Sequence, residues 1–396
     1  MKNNLHPIVR RVKTRLALLL HTLFFVAAAT QNAIVPLLPR LSHAYGLTPA
    51  SVALLLAAPG LATLAVSVPA GVLADKLGAS RVTIAATALM GLAALAQAAP
   101  SYPVLMGGRL AFGLAYGILW TTGVAWLSSS GEGSAHLGAV ATSAAVGMVA
   151  GPALGGIVAD TLGLSAPFLL VAGFAAVLVL ALHRQPAAIP AEPAERGSTR
   201  AAIRVAPTRP GVVAGACALA IGGAVGGVTQ LLIPLQLHQL GFSASATGVA
   251  FSAAAGVYIL VSAVVVRFGT RATTVRVAAL GALALALSLL PAVLGTGAAV
   301  LVGVLVLCTA PRAVVSTVAY PLATAGSEIG DGVVIGLLNG TWALGLVIAP
   351  LVAGAVDQLA GPNPAYLTVI LPGVLASGWL LLTRPRLEAR AALNFV

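Results

Sequence analysis

The chain contains twelve apolar stretches, each long enough to cross a lipid bilayer as a helix. A bilayer core requires about 20 consecutive apolar residues, with a range of about 17–25. We place the stretches at residues 16–39, 50–74, 82–99, 103–127, 137–159, 164–183, 211–238, 246–266, 277–294, 298–322, 332–356 and 364–383. Charged residues make up only 8% of the chain, against about 25% in a soluble domain, so the chain could not cover its surface in water. The sequence therefore predicts an all-α membrane protein with twelve transmembrane helices.

The positions of the positive charges account for the formal net charge of +12. Of the 21 lysines and arginines, 18 lie in segments on the same side of the predicted membrane as the N-terminus. Arg40 lies on the other side, and Arg109 and Arg312 lie within apolar stretches. Because lysine and arginine favour cytoplasmic loops, we expect a multi-pass protein of the cell (inner) membrane with both termini in the cytoplasm. The same distribution argues against a nucleic-acid partner.

The two halves of the chain resemble each other at a constant offset. Residues 34–37 (IVPL) match residues 232–235 (LIPL) at an offset of 198, and residues 147–152 match residues 345–350 at the same offset. The sequence therefore predicts two pseudo-symmetric six-helix bundles, residues 1–183 and 211–396, joined by a proline- and arginine-rich cytoplasmic linker at 184–210. Duplicated halves are typical of secondary transporters, whose binding site lies near the middle of the membrane.

The loop between the second and third stretches resembles a signature of the major facilitator superfamily. Residues 71–78 read GVLADKLG, similar to the G-x-L-A-D-R/K-x-G loop of that superfamily. The resemblance implies a conformational switch made of four residues: Gly71, Asp75, Gly78 and Arg81. The match is incomplete, because Arg81 stands one place late and the corresponding loop at 266–269 lacks the aspartate.

The fifth stretch carries the most specific motif. Residues 147–156 read GMVAGPALGG, similar to the G-x-x-x-G-P-x-x-G-G of twelve-span drug:proton antiporters in that superfamily. Small residues four apart flatten one helix face for close packing, and an internal proline bends a helix. The resemblance implies an exporter and assigns this antiporter motif to Gly147, Gly151, Pro152, Gly155 and Gly156.

Two further matches concern proton coupling. Residues 109–113 (RLAFG) resemble the family's R-x-x-x-G motif, whose arginine is linked to proton transfer. Residues 32–39 resemble the antiporters' D-x-x-x-P-x-x-P, but Asn32 replaces the aspartate. All nine acidic residues are placed outside the stretches, with Asp160 and Asp357 at their outer ends. A coupled proton must then use His21, a loop acid such as Glu132, or the substrate.

Polar and aromatic residues inside the stretches are the candidates for a substrate cavity, because polar side chains in a membrane face the bundle interior. They are Gln31, Asn32, Arg109, Tyr116, Trp120, Gln230, Arg312, Asn339 and Trp342. The alternative for each is a hydrogen bond between helices. Trp126, Trp379 and Tyr366 lie near the ends of stretches and are expected to be anchors at the membrane surface.

These features together predict a secondary active transporter that exports a small amphipathic or hydrophobic compound by alternating access, through proton antiport. The alternatives are uptake or facilitated diffusion of a metabolite, or a membrane receptor or scaffold without transport. The resemblance places the cavity among the first, fourth, seventh and tenth helices, and two arginines without a nearby acid suggest an electropositive cavity. We expect a small-molecule substrate, protons and the lipid bilayer as partners, no cofactor or metal, no enzymatic activity and a monomer.

Overall fold

The computed structural model describes residues 7–129, 133–187, 209–267, 273–295, 297–325 and 331–393. Most of the predicted linker at 184–210, Glu132 and residues 268–269 of the second-half loop lie outside the described residues. The elements up to the linker are α1 (Pro7–Ala33), a 3-10 turn (Val35–Leu37), α2 (Leu38–Tyr45), α3 (Pro49–Leu77), α4 (Ala79–Gln97), α5 (Tyr102–Ser129), α6 (Gly133–Leu162) and α7 (Ala166–His183). After it follow α8 (Pro210–Gln239), α9 (Ala244–Val266), α10 (Val275–Leu287), α11 (Leu290–Leu294), α12 (Ala298–Leu307), α13 (Thr309–Thr324), α14 (Asp331–Ala360) and α15 (Pro362–Leu393).

These helices make twelve candidate membrane spans by length and composition in the described part of the chain. The predicted all-α fold with twelve spans is confirmed. Several spans are longer than predicted: the first runs from Thr14 to Tyr45, and the fifth and eleventh continue through Asp160 and Asp357 to Leu162 and Ala360. The prediction that all acids lie outside the spans was therefore wrong for these two aspartates. Apolar runs underestimate span length because a helix continues through a polar residue in its last turn.

Two closely spaced prolines interrupt the first span. A proline lacks an N–H and leaves the carbonyl four residues earlier without its helical partner. Pro36 and Pro39 remove the partners of Asn32 and Val35, and the chain there forms the short 3-10 turn between α1 and α2. The single prolines Pro152, Pro234 and Pro350 remain inside continuous helices, so one missing bond is tolerated and two within a turn are not.

The ninth and tenth spans are also broken, which the sequence analysis did not predict. The helix α10 ends at Leu287, four residues before Pro291, and α12 ends at Leu307, four residues before Pro311. The two breaks meet in space: the Ser288 hydroxyl and the Cys308 sulfur are 3.0 Å apart. Their contact places the breaks of the two spans side by side.

The described helices pack into two compact units. Unit 1 contains Met1–Leu41, Ala58–Ala194 and Ser243–Ser252, and unit 2 contains Ser42–Ala57, Glu195–Phe242 and Ala253–Val396. In unit 1, α1 packs on α6, and α4 packs on α5 and α7, around a core that includes Leu20, Phe24, Met90 and Phe112. In unit 2, α8 packs on α13 and α14, and α10 packs on α15.

Candidate functional site

The antiporter motif of α6 forms the closest helix contact in unit 1. An added Cβ at Gly155 would lie 2.5 Å from the Ala33 carbonyl oxygen and 2.9 Å from the Ala33 Cα. The other two glycines on this face lie equally close to α1, so that three glycines meet three carbonyls, each set spaced by four residues. The pairs are Gly147 with Phe25, Gly151 with Ala29 and Gly155 with Ala33. Only glycine permits this approach, which gives the motif its physical basis in close packing.

The opposite face of the motif packs on the start of α9, also within unit 1. A Cβ at Gly156 would collide with the Ala244 carbonyl, and one at Gly248 would collide with the Pro152 carbonyl. The Ser252 hydroxyl accepts a hydrogen bond from the Ala153 backbone N–H at 3.0 Å. Gly156 and Pro152 therefore form a second packing surface rather than a substrate contact.

Asp160 joins the ends of three helices in unit 1. Its carboxylate accepts hydrogen bonds from the backbone N–H of Ser245 at 2.7 Å and from the Ser245 hydroxyl at 2.6 Å. These bonds cap the first turn of α9, where a negative charge is favourable. Arg40 from α2 forms an ion pair with Asp160 at 3.1 Å and also donates to the Ala159 carbonyl at 2.9 Å. Sequence reasoning missed this cluster because Asp160 was placed outside the span.

Four candidate and core side chains lie along one face of α5 in unit 1. Arg109 is fully buried at 0% exposure, and its guanidinium carbon lies 5.8 Å from the centre of the Phe112 ring. Phe112 and Tyr116 rings are 5.8 Å apart, and Tyr116 and Trp120 rings are 6.2 Å apart. Phe24 of α1 packs on Trp120 at 5.0 Å. The structure thus brings Arg109, Tyr116 and Trp120 together as a continuous aromatic ladder with a buried cation at one end.

The neighbouring face of α5 is fixed against α3. Gly113 lies against the backbone of Pro59, and a Cβ at Gly117 would lie 2.7 Å from Val66. The Thr63 hydroxyl donates to the Gly113 carbonyl at 2.8 Å. Because α5 is held this closely, its aromatic ladder has a fixed position in unit 1.

Arg312 is the corresponding cation of unit 2. It is half-buried in α13, and its guanidinium carbon lies 5.4 Å from the centre of the Tyr258 ring on α9. A cation over an aromatic ring gains about 0.5–2 kcal/mol, whereas an arginine at the middle of a membrane helix costs at least about 2.5–3.5 kcal/mol. The contact with Tyr258 alone therefore leaves about 0.5–3 kcal/mol of the cost of placing Arg312 in the membrane without compensation.

A second polar pair of unit 2 lies further along α13. The Tyr320 hydroxyl donates a hydrogen bond to the Asn339 amide oxygen on α14 at 2.5 Å. Tyr320 is two turns beyond Arg312 on the same helix. Asn339 was a candidate in the sequence, but its partner Tyr320 was not selected.

The remaining candidates do not form one cluster in the described residues. Asn32 donates to the Ala28 carbonyl of its own helix at 2.8 Å, and the amide oxygen of Gln31 is buried without a hydrogen-bond partner among the described residues. Gln230 is half-buried in α8. Trp342 of α14 is also half-buried, and its backbone carbonyl lies against Gly223. Helix packing therefore explains the backbone position of Trp342.

Two expected surface anchors are buried instead. Tyr366 is 0% exposed and donates to the Gln236 amide oxygen at 2.6 Å. Trp126 is 1% exposed, and its indole N–H donates to the Pro186 carbonyl at 3.2 Å. The prediction for these two was wrong because each finds a polar partner distant in sequence. Trp379 is 47% exposed, as an anchor requires.

Three residues of the implied switch, Asp75, Gly78 and Arg81, lie at the turn between α3 and α4, whereas Gly71 lies inside α3. Asp75 is exposed in the last turn of α3, and Arg81 is exposed in the first turn of α4. Gly78 between them has a φ of 89°, a conformation that side chains other than glycine's rarely adopt. The glycine of the loop is thus required by the turn itself.

Twelve apolar helices, with a buried arginine and polar pairs inside them, define a multi-pass membrane protein in the described part of the chain. The chain matches the family model of the Major Facilitator Superfamily over residues 20–330, and it belongs to that superfamily. This membership identifies the protein as a transporter rather than an enzyme.

Three solved structures show the same fold. A bacterial homologue of the human lysosomal transporter Spinster has 15% identity and a TM-score of 0.74, covering 99% of this chain and 97% of that chain. The nucleoside transporter NupG has 13% identity and a TM-score of 0.77, covering 94% and 99%. A D-xylose–proton symporter has 14% identity and a TM-score of 0.73, covering 93% and 97%.

Proposed function

We propose that the protein exports a small amphipathic or hydrophobic compound by alternating access, in exchange for protons. Membership of the superfamily supports secondary transport. The observation that carries export is the motif at 147–156, which resembles that of exporting antiporters and whose glycines pack on the carbonyls of α1. A motif that fixes one helix against another can favour one access state over the other.

The proposed substrate contacts are side chains with partly accessible polar or aromatic surface. In unit 1 these are Tyr116 and Trp120, both half-buried on the aromatic ladder. In unit 2 they are Arg312, Trp342 and the exposed Asn339. Aromatic faces with a few polar groups suit an amphipathic compound.

Proton coupling belongs to the same proposal. Asn32 stands where antiporters carry an aspartate, so a proton exchanged for the substrate is carried by His21 of α1 or by Glu132.

We also infer the cellular setting from the charge distribution. Eighteen of 21 positive residues lie on the side of the termini, which supports an inner-membrane protein with both termini in the cytoplasm. The division into halves at 1–183 and 211–396, and a monomeric state, are part of the proposal.

Export is tested by loading cells that overproduce the protein with an amphipathic fluorescent dye and following its loss. The proposal expects faster loss than in cells with an empty vector, and collapse of the proton gradient by an uncoupler should abolish the difference. Dye loss that is equal in both cells across a chemically diverse dye panel would contradict export.

Uptake or facilitated diffusion of a metabolite is the second candidate. It is favoured by Asn32, which removes the acid of the antiporter pattern, and by likeness in fold to a nucleoside transporter and a D-xylose–proton symporter. Faster accumulation of labelled nucleosides or pentoses in overproducing cells would support it.

A further inference from the structure

Arg312 has an unusual environment within unit 2. It lies in the tenth candidate span, and in the described part of the chain its guanidinium takes part in no hydrogen bond or ion pair, only in the contact with Tyr258. Five N–H donors in a rigid planar fork are thus available. Such donors in a membrane protein bind an anion, a carbonyl or water.

The backbone of α8 lies beside the guanidinium at a glycine. Gly226 of α8 faces Arg312, and even an added Cβ there would remain 3.8 Å from the guanidinium carbon and from Nη2. A glycine at this position therefore leaves space beside the cation for a group about the size of a methyl.

The same region offers a further donor and an apolar surface. Ser262 lies one turn beyond Tyr258 on α9, and its buried hydroxyl has no hydrogen-bond partner among the described residues. A serine in a helix ordinarily bonds back to the carbonyl four residues earlier. The ring of Tyr258 provides a flat apolar surface next to the cation.

We propose that Arg312 is the anion-recognition group of a substrate subsite in unit 2, and that the transported compounds are amphipathic carboxylates. The guanidinium fork pairs with both oxygens of a carboxylate, Tyr258 contacts the apolar body, and Ser262 donates to the same anionic group. This inference rests on the proposed function, since it names the class of compound that the transporter moves.

The test is binding of three naphthalene compounds with the same ring and different charge: 1-naphthoate, 1-naphthamide and 1-naphthylmethylammonium. The full chain is purified into phosphatidylcholine nanodiscs, and affinity is measured from thermal stabilisation at increasing ligand concentration. A hydrogen-bonded charge pair predicts naphthoate binding about tenfold to a hundredfold tighter than naphthamide. Arg312→Gln should remove this preference, and Arg312→Lys should retain part of it.

Arg276→Gln is the matched control, because it removes an exposed arginine at the start of α10 and should leave the preference unchanged. A wild type without tighter naphthoate binding, or an Arg312→Gln protein that keeps the preference, overturns the inference. If Arg312→Gln does not fold, the comparison of the three ligands on wild type and Arg312→Lys decides. A second set of nanodiscs, containing anionic phosphatidylglycerol, tests whether the natural ligand of Arg312 is a lipid phosphate. If naphthoate no longer binds in these nanodiscs and the lipid itself stabilises the protein in an Arg312-dependent manner, the inference of a carboxylate substrate is also overturned.

Export and anion recognition fail separately in this design. Arg312-dependent naphthoate binding without dye loss from cells would remove the proposed direction of transport and leave the subsite standing. Dye export without any preference for the carboxylate would remove the subsite and leave the proposed direction of transport standing.

Discussion

Replacing Gly155 by alanine tests the packing of the antiporter motif on α1. The new Cβ would lie 2.5 Å from the Ala33 carbonyl oxygen, 2.8 Å from the Ala33 Cβ and 2.9 Å from the Ala33 Cα. An ordinary contact begins near 3.4 Å, so the two helices must separate by 3.4 − 2.5 = 0.9 Å at this point. Overpacking of this kind costs about 1–3 kcal/mol, partly offset by the about 0.5–1 kcal/mol that alanine gains over glycine within a helix.

Gly173→Ala is the matched control. Gly173 lies inside α7, is exposed, and has no atom within 4 Å of an added Cβ. Both variants gain the same helix propensity, so the difference between them isolates the packing cost, and Gly155→Ala should be less stable by about 1–3 kcal/mol. Reversible unfolding by sodium dodecyl sulfate in mixed micelles, followed by circular dichroism, measures both. Equal stability of the two variants would refute the account of the motif as a close helix contact.

Three further predictions concern polar groups at other points of the fold. Tyr366→Phe should lower the free energy of unfolding by about 1–3 kcal/mol, because it leaves a buried amide without its donor. Tyr320→Phe, at an exposed pair, should lower it by about 0.5–1.5 kcal/mol. The same micelle titration compares the two variants, and a larger loss for Tyr320→Phe than for Tyr366→Phe would contradict the burial argument. Asp160→Asn should lower the free energy of unfolding by about 0.5–2 kcal/mol, because it weakens the cap and the ion pair. Asp357→Asn should change the free energy of unfolding by less than about 0.5 kcal/mol, because the Asp357 carboxylate accepts no hydrogen bond among the described contacts. Equal losses for the two variants would count against the cap. Asp75→Asn should shift the population towards the inward-facing state, raising the labelling of single cysteines on the cytoplasmic side by an impermeant thiol reagent; unchanged labelling and transport would argue against the switch.

The number and order of the helices could be predicted because bilayer thickness imposes a length that any apolar run reveals. The breaks at Leu287 and Leu307 could not, since Pro234 and Pro350 lie in equally apolar runs without breaking them. At the two breaks the Ser288 and Thr309 hydroxyls donate to the carbonyls three residues earlier, both at 2.6 Å. Such bonds depend on rotamers and neighbours that a pattern of apolar residues does not contain.

The candidate site was predictable only in part. The expectation that membrane arginines avoid lipid follows from the cost of charge, and Arg109 is indeed fully buried. The partners of Arg312 and Tyr366 lie tens of residues away, on α9 and α8, so only the folded chain shows them. The predicted boundary of the fifth span likewise put Asp160 outside the membrane. Its partners Arg40 and Ser245 come from the ends of other helices, far away in the sequence.

The most direct test of export by proton exchange is transport by the purified protein in liposomes with an acidic lumen and a neutral exterior. The account predicts that an amphipathic carboxylate accumulates in the lumen against its own concentration gradient as protons leave. Protein-free liposomes should show no such accumulation beyond passive equilibration. An ionophore that dissipates the pH gradient should release the accumulated compound. Movement of the compound out of the lumen together with protons, or no movement that depends on the protein, would contradict it.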